Sequence, residues 1–79
     1  MGKYSNISVS RFRNILKAFG LEQVRIKGGH EMWFKDGMLR NVVFQTHEEP
    51  IPEDIIKNNI KTMGISKEEF DKKLKEIKK

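Results

Sequence analysis

Two glycine turn signals, eight residues apart, constrain the fold of this chain more than any other feature. Gly28-Gly29 and Asp36-Gly37 each lie between two short stretches that contain apolar residues. Residue pairs of this kind favour the two-residue turns of β-hairpins, and Asp-Gly is typical of a type I′ turn. In the first stretch, 22–27, polar and apolar residues alternate, which places Val24 and Ile26 on one side. The flanking stretches 22–27, 30–34 and 38–45 are therefore predicted to be strands. Two tight turns in succession indicate a three-stranded antiparallel meander.

Helices are predicted on both sides of this meander. Ser8 is a typical N-cap residue, and apolar residues recur after it at helical spacing as far as Gly20. Pro52 favours the first position of a second helix, which Gly64 ends. Ser66 and Glu69 have the spacing of a capping box and predict a short third helix.

The predicted order of elements indicates an α+β fold. A three-stranded antiparallel sheet would be covered on one face by two helices (α-β-β-β-α), with a short C-terminal helix added and the other face left open. This plan matches that of double-stranded-RNA-binding domains. Residues 1–79 are expected to form a single domain with a core of about 8–74, and the lysine-rich tail Lys78-Lys79 is expected to fray.

Composition excludes several classes of protein and site. The 79 residues contain no cysteine, which rules out disulfides and thiolate metal sites. No apolar stretch approaches the ~20 residues that span a bilayer, and the first ten residues lack the apolar segment of a signal peptide. We therefore expect a cytoplasmic protein that has no membrane partner.

The net charge of +5 lies entirely in the first part of the chain. Residues 1–45 contain eight basic and three acidic side chains, whereas residues 46–79 contain eight of each. Arg11, Arg13 and Lys17 fall mostly off the apolar stripe of the first helix and predict a basic solvent face. This asymmetry favours a polyanionic partner such as nucleic acid, although a basic charge also keeps a small protein in solution.

Only two side chains, His30 and His47, are obvious candidates for proton transfer near neutral pH. His30 follows the glycine pair directly and opens the second strand; it could equally be an ordinary surface or turn-capping histidine. A metal site is not expected, because His30 and Glu31 are strand neighbours that point to opposite faces. In the same way, Trp33 points to the face opposite to that of Met32 and Phe34. The pattern leaves open which of these two sets is buried.

These motifs together resemble the HicA family. The resemblance is carried by Gly28-Gly29-His30 before an aromatic strand, by Asp36-Gly37, and by Val42-Val43-Phe44 followed by His47. It continues through a helix ending in Thr62-Met63-Gly64-Ile65-Ser66 and then Glu68-Glu69-Phe70, so that it covers about residues 8–74. The family's usual glycine–serine–histidine stands here with Gly29 in place of the serine, and the serine hydroxyl is lost.

The resemblance implies an mRNA interferase, the toxin of a toxin–antitoxin pair, with a double-stranded-RNA-binding-like fold. It further implies that His30 is the catalytic histidine and that a HicB-type antitoxin covers the active site. No cofactor or metal is required, because RNA supplies its own 2′-hydroxyl nucleophile. The residues expected to contact RNA are basic side chains and the turn glycines: Arg11, Arg13, Arg25, Lys27, Gly28, Gly29 and Arg40.

Two alternatives stay open at this point. A non-catalytic RNA-binding module of the same fold would bind RNA in a salt-dependent way without cleaving it. A protein-interaction domain would use the basic face to dock an acidic protein. His47 could supply a second proton-transfer group, or it could simply orient the loop before the second helix.

Overall fold

The computed structural model describes residues 4–77, and the predicted tail Lys78-Lys79 lies outside them. The elements are α1 (Val9–Ala18), β1 (Glu22–Lys27), β2 (His30–Phe34), β3 (Val42–Gln45), α2 (Glu53–Met63) and α3 (Lys67–Glu76). The strands form one antiparallel sheet in the order β1-β2-β3, so β2 is central. The predicted α+β class and three-stranded antiparallel sheet are confirmed. None of the helices between residues 4 and 77 is long and apolar enough to cross a membrane.

The first predicted hairpin is confirmed and the second is wrong in detail. Gly28 and Gly29 both have positive φ, 58° and 85°, and they join Lys27 to its partner His30. At the second turn only Gly37 has positive φ, whereas a type I′ turn needs it at both central residues, including Asp36. The chain then runs irregularly until β3 begins at Val42 instead of residue 38.

The edge strand β1 departs from the simple alternation that its sequence suggests. The register with β2 shifts between Gln23 and Arg25, so Val24 is an extra residue of a β-bulge. Val24 and Ile26 remain 54% and 61% exposed, and no residue of β1 is buried. The predicted single apolar side of this strand is therefore interrupted, because the bulge changes the face on which the following residues lie.

The two faces of the sheet differ sharply in burial. Glu31 and Trp33 of β2, together with Val42 and Phe44 of β3, point inward and are buried. Strand alternation consequently places His30, Met32 and Phe34 on the outer face. The question that the sequence left open is answered: the tryptophan belongs to the core and not to the open face.

All three helices contribute to one core against the inner face. The Phe12 ring of α1 makes an edge-to-face contact with Phe44 of β3, at 5.0 Å between centroids, and lies 6.3 Å from the Phe70 ring of α3. The predicted capping box at Ser66 begins α3, which has ten residues like α1. The third helix is thus as long as the first, and Phe70 makes it part of the core.

The segment before α1 also belongs to the core, outside the predicted limits of about 8–74. Tyr4 and Ile7 are buried, and the Tyr4 ring packs edge-on against Phe70 at 5.4 Å. Its hydroxyl donates to Oδ1 of Asp71 at 2.8 Å. Ile51 N donates to Ile7 O at 2.9 Å, which ties this segment to the loop before α2. Contacts at such sequence separations leave no local signal.

The Tyr4 hydroxyl provides a test of this packing. Burial, with the hydrogen bond to Asp71 and nearby carboxylates, raises the pKa of Tyr4 to about 12. Its contribution to stability is complete below the unfolded pKa of about 10 and is lost as pH rises toward 12. We expect Tyr4→Phe to reduce the free energy of unfolding by about 1 kcal/mol at neutral pH. Urea titrations from pH 7 to 11 should show that the variant loses less unfolding free energy at alkaline pH than the natural protein does. Equal losses would contradict the assignment of this titration to the Tyr4 hydroxyl.

Candidate nucleic-acid interface

The outer face of the sheet carries the candidate interface. Because directly paired residues share a face, the register defines which side chains lie there. They are Arg25 and Lys27 from β1, His30 and Met32 from β2, and Val43 and Gln45 from β3. Five of these six side chains are exposed and Met32 is half-buried. This outer face combines two cations, one imidazole and one amide on a surface open to solvent.

His30 stands at one end of this face, at the first position of β2. It pairs with Lys27 on one side and with Gln45 on the other, so the three side chains form one row across the sheet. Nε2 of Gln45 lies 3.3 Å from Nε2 of His30. An exposed imidazole in a row with a lysine and an amide can take up or give a proton at a bound substrate.

Thr46, the residue that follows β3, holds the turn beside His30. The carbonyl of Gly29 accepts two hydrogen bonds from Thr46, one from the backbone N at 2.7 Å and one from Oγ1 at 3.0 Å. A Cβ built on Gly29 would collide with Nε2 and Cε1 of the His47 ring, whereas Gly28 faces open space. The His47 ring therefore lies against the backbone of Gly29, the residue that precedes His30. The sequence predicted only His30 for this place.

A buried carboxylate lies directly after His30 on the opposite face. The Glu31 side chain is fully buried and accepts from Nε of Arg13 at 2.9 Å and from Nε1 of Trp33 at 2.9 Å. Burial is the largest single influence and raises the pKa of Glu31, but the hydrogen bonds and the positive charge of Arg13 together outweigh it. The pKa of Glu31 is therefore lowered, and the group is ionised at neutral pH. This network fixes β2 immediately beside the candidate catalytic position.

Two of the arginines predicted to contact RNA, Arg11 and Arg13, have structural partners within the chain. Arg13 is held by Glu31, as described, and the hydrogen bond that it donates to the carboxylate raises the pKa of its guanidinium. Arg11 donates from Nε to Ile77 O at 2.9 Å and from a terminal nitrogen to Leu74 O at 2.7 Å, at the end of α3. On the expected basic solvent face of α1, Lys17 is therefore exposed, whereas Arg11 and Arg13 are half-buried and paired.

Arg40 is not brought together with His30. It precedes β3, whereas the partner of His30 is Gln45 at the other end of that strand. Arg40 instead lines a groove of about 460 Å³ between the β2–β3 connection and α2. The other lining residues include Asn58 and Lys61, with Leu39, which is 98% exposed, at its rim. The cations predicted to contact RNA therefore lie in separate regions, with Arg25 and Lys27 on the outer face and Arg40 at this groove.

The glutamates of the β3–α2 loop have local explanations. Glu49 accepts from the backbone N of Val9 at 2.9 Å and so caps the start of α1. Glu48 lines a cavity of about 150 Å³ next to His30, between β3 and the start of α2. Among residues 4–77, no three histidine, aspartate or glutamate side chains are grouped so that they could hold a metal ion.

No protein-family model, curated protein or solved structure matches this chain. An imidazole exposed at the end of the outer face, with a lysine and an arginine on the neighbouring strand, can bind a phosphodiester and transfer a proton to or from it. The arrangement supplies cationic side chains and proton carriers and is fully formed by this chain's own residues.

Proposed function

We propose that this chain is a HicA-type endoribonuclease, the toxin of a toxin–antitoxin pair, that cleaves mRNA without a metal or cofactor. One observation carries the proposal: His30 is exposed on the open face of the sheet, in a row with Lys27 and Gln45. The order α-β-β-β-α, to which α3 is added, supports the proposal of a double-stranded-RNA-binding-like domain. We further propose a cytoplasmic location and a HicB-type antitoxin that covers this row.

The reaction would be a transesterification within the RNA. His30 takes the proton from a 2′-hydroxyl, and the 2′-oxygen forms a bond to the adjacent phosphorus. The bond between phosphorus and the 5′-oxygen of the next nucleotide breaks, and that oxygen gains a proton. The products are a 2′,3′-cyclic phosphate and a free 5′-hydroxyl. A positioned general base contributes typically 10²–10⁴-fold to such a step.

Arg25 and Lys27 would bind the phosphates that flank the cleaved bond. Both lie on the outer face of β1, and both are exposed. Cations in this position neutralise the charge that develops on the phosphoryl oxygens and release counterions from the RNA. Gly28 leaves open space beside them, so that the RNA backbone can approach the turn closely.

A non-catalytic RNA-binding module is the second candidate. The observation that favours it is Gly29, which replaces the serine of the HicA pattern and removes a hydroxyl next to His30. Such a module would use the same cations and the same open face. The two candidates differ only in whether a bond is broken.

The deciding experiment is RNA cleavage by the purified protein in EDTA. The substrate is an oligonucleotide of deoxynucleotides with a single ribonucleotide, and the matched control is the all-deoxy oligonucleotide. We expect cleavage only at the ribonucleotide, with a cyclic phosphate as the product, because only that position offers a 2′-hydroxyl. Salt-sensitive RNA binding without any cleavage would instead establish the non-catalytic module.

The two cations of β1 should account for part of the electrostatic affinity. We expect the double variant Arg25→Gln/Lys27→Gln to bind single-stranded RNA more weakly. The slope of log affinity against log salt should become shallower by about 0.7 for each phosphate that the variant no longer neutralises. Filter binding at several salt concentrations measures this slope. The matched control is Lys72→Gln/Lys75→Gln, which removes the same charge from exposed positions of α3; an equal effect in both variants would argue against a localised interface.

A further inference from the structure

We propose that His47 is a second catalytic residue, which gives its proton to the leaving 5′-oxygen while His30 takes the proton from the 2′-hydroxyl. This inference rests on the proposed ribonuclease function. It assigns the second proton transfer of the reaction to a named group.

The position of the His47 ring supports this role. The ring lies so close to the backbone of Gly29 that a Cβ on this residue would collide with Nε2 and Cε1. Gly29 is the direct chain neighbour of His30, so the His47 ring lies at the turn from which β2 begins. His47 is exposed and can therefore reach a bound substrate. A single histidine can serve only one of the two proton transfers at a time, and here a second imidazole is at hand.

The backbone around His47 is fixed rather than loosely placed. Thr46, its chain neighbour, makes both a backbone and a side-chain hydrogen bond to the carbonyl of Gly29. The loop that follows is anchored by Ile51, which is buried and donates to Ile7 O. A proton donor must be held near its target before the reaction begins, and these contacts fix the backbone from which the His47 ring reaches the turn.

The absence of a side chain at Gly29 and the position of the His47 ring depend on each other. Any side chain at Gly29 would need the space that the His47 ring occupies, and the φ of +85° is one that residues with a Cβ rarely adopt. The serine of the HicA pattern and this placement of the imidazole therefore exclude each other. We infer that the chain loses a hydroxyl at this turn and gains a proton donor there.

Proton and bond changes balance in the two-histidine reaction. Neutral His30 gains the proton of the 2′-hydroxyl as the bond between the 2′-oxygen and phosphorus forms. Protonated His47 loses its proton to the 5′-oxygen as the bond between phosphorus and that oxygen breaks. Exchange of one proton each with water restores both imidazoles, and no oxidant, reductant or metal takes part.

The test uses RNA in which sulfur replaces the leaving 5′-oxygen at one position. A thiolate leaves without protonation, so this substrate does not need a general acid. We expect His47→Ala to lower cleavage of the oxygen substrate by about 10²–10⁴-fold and to cleave the sulfur substrate at nearly the natural rate. His30→Ala should remain slow on both substrates, because the 2′-hydroxyl still needs a base.

His47→Gln provides a second variant that fills a similar space over Gly29, and circular dichroism checks that both variants are folded. Cleavage of the oxygen substrate by folded His47→Ala at the rate of the natural protein would overturn the role of His47 alone. Equally slow cleavage of both substrates by this variant would overturn it as well. Failure of the natural protein to cleave either substrate would remove the ribonuclease function itself. The two failures are therefore distinguishable.

Discussion

Replacing His30 with alanine is expected to lower RNA cleavage by about 10²–10⁴-fold while leaving RNA affinity almost unchanged. The side chain is exposed on the outer face, and its polar neighbour there is Gln45. Its loss therefore removes a proton carrier without disturbing the core. The measurement is kcat/KM for the single-ribonucleotide substrate in EDTA, together with filter binding of uncleavable RNA. Expression of the variant should no longer arrest growth.

The specificity of this effect needs a matched surface control. Lys72→Ala removes an exposed side chain of α3, which is not part of the outer face of the sheet, and should leave cleavage unchanged. Exposed substitutions usually change the free energy of unfolding by less than about 0.5 kcal/mol, so both variants should melt like the natural protein. Unchanged cleavage by folded His30→Ala would remove the proposed mechanism.

The second large effect is expected at Arg13, through Glu31. Arg13→Ala would leave a fully buried carboxylate with only neutral donors such as Trp33. Breaking a buried ion pair typically costs 3–5 kcal/mol. Since the Arg13 side chain is 39% exposed, water can replace part of the interaction, and we expect about 2–4 kcal/mol. Urea unfolding at pH 7 measures this loss.

Arg11→Ala is the control, because Arg11 hydrogen-bonds to neutral carbonyls and its removal leaves no buried charge. We expect it to cost less than Arg13→Ala. An equal loss of unfolding free energy in the two variants would mean that Arg13 does not stabilise the fold by compensating the charge of Glu31.

The same ion pair predicts the response to acid. The pKa of Glu31 is lowered in the folded state, so its contribution to stability is present above the unfolded value of about 4.3. That contribution is lost as pH falls through the folded pKa, where the carboxylate takes up a proton. In Glu31→Gln the group that titrates is absent. The decline of its unfolding free energy below pH 4 should therefore be shallower than that of the natural protein.

The elements that the sequence predicted well are those specified by neighbouring residues. Ser8 caps α1 by accepting from Arg11 N, and Ser66 and Glu69 bond reciprocally at the start of α3. The Gly28-Gly29 turn likewise depends on the φ angles of two adjacent residues. Caps and tight turns of this kind are readable from a few consecutive positions.

The features that sequence reasoning missed are contacts between distant positions. Arg11 binds carbonyls more than 60 residues away, and Arg13 binds a glutamate 18 residues away. Both arginines look like solvent-facing cations when only the helix is considered. Placing His47 over Gly29 required the register of β2 with β3. One partial signal existed for this placement, since a glycine in place of serine leaves room for another side chain.

The bulge at Val24 has a consequence for how copies of this protein behave together. β1 is the outer strand next to β2, and an unpaired edge can recruit a strand from another molecule. The extra residue breaks the regular spacing of backbone donors and acceptors, and Arg25 and Lys27 place like charges along the same stretch. A second copy approaching in a strand-to-strand manner would meet a mismatched ladder and mutual repulsion. We therefore expect the side chains proposed to hold RNA also to oppose strand-to-strand association between copies.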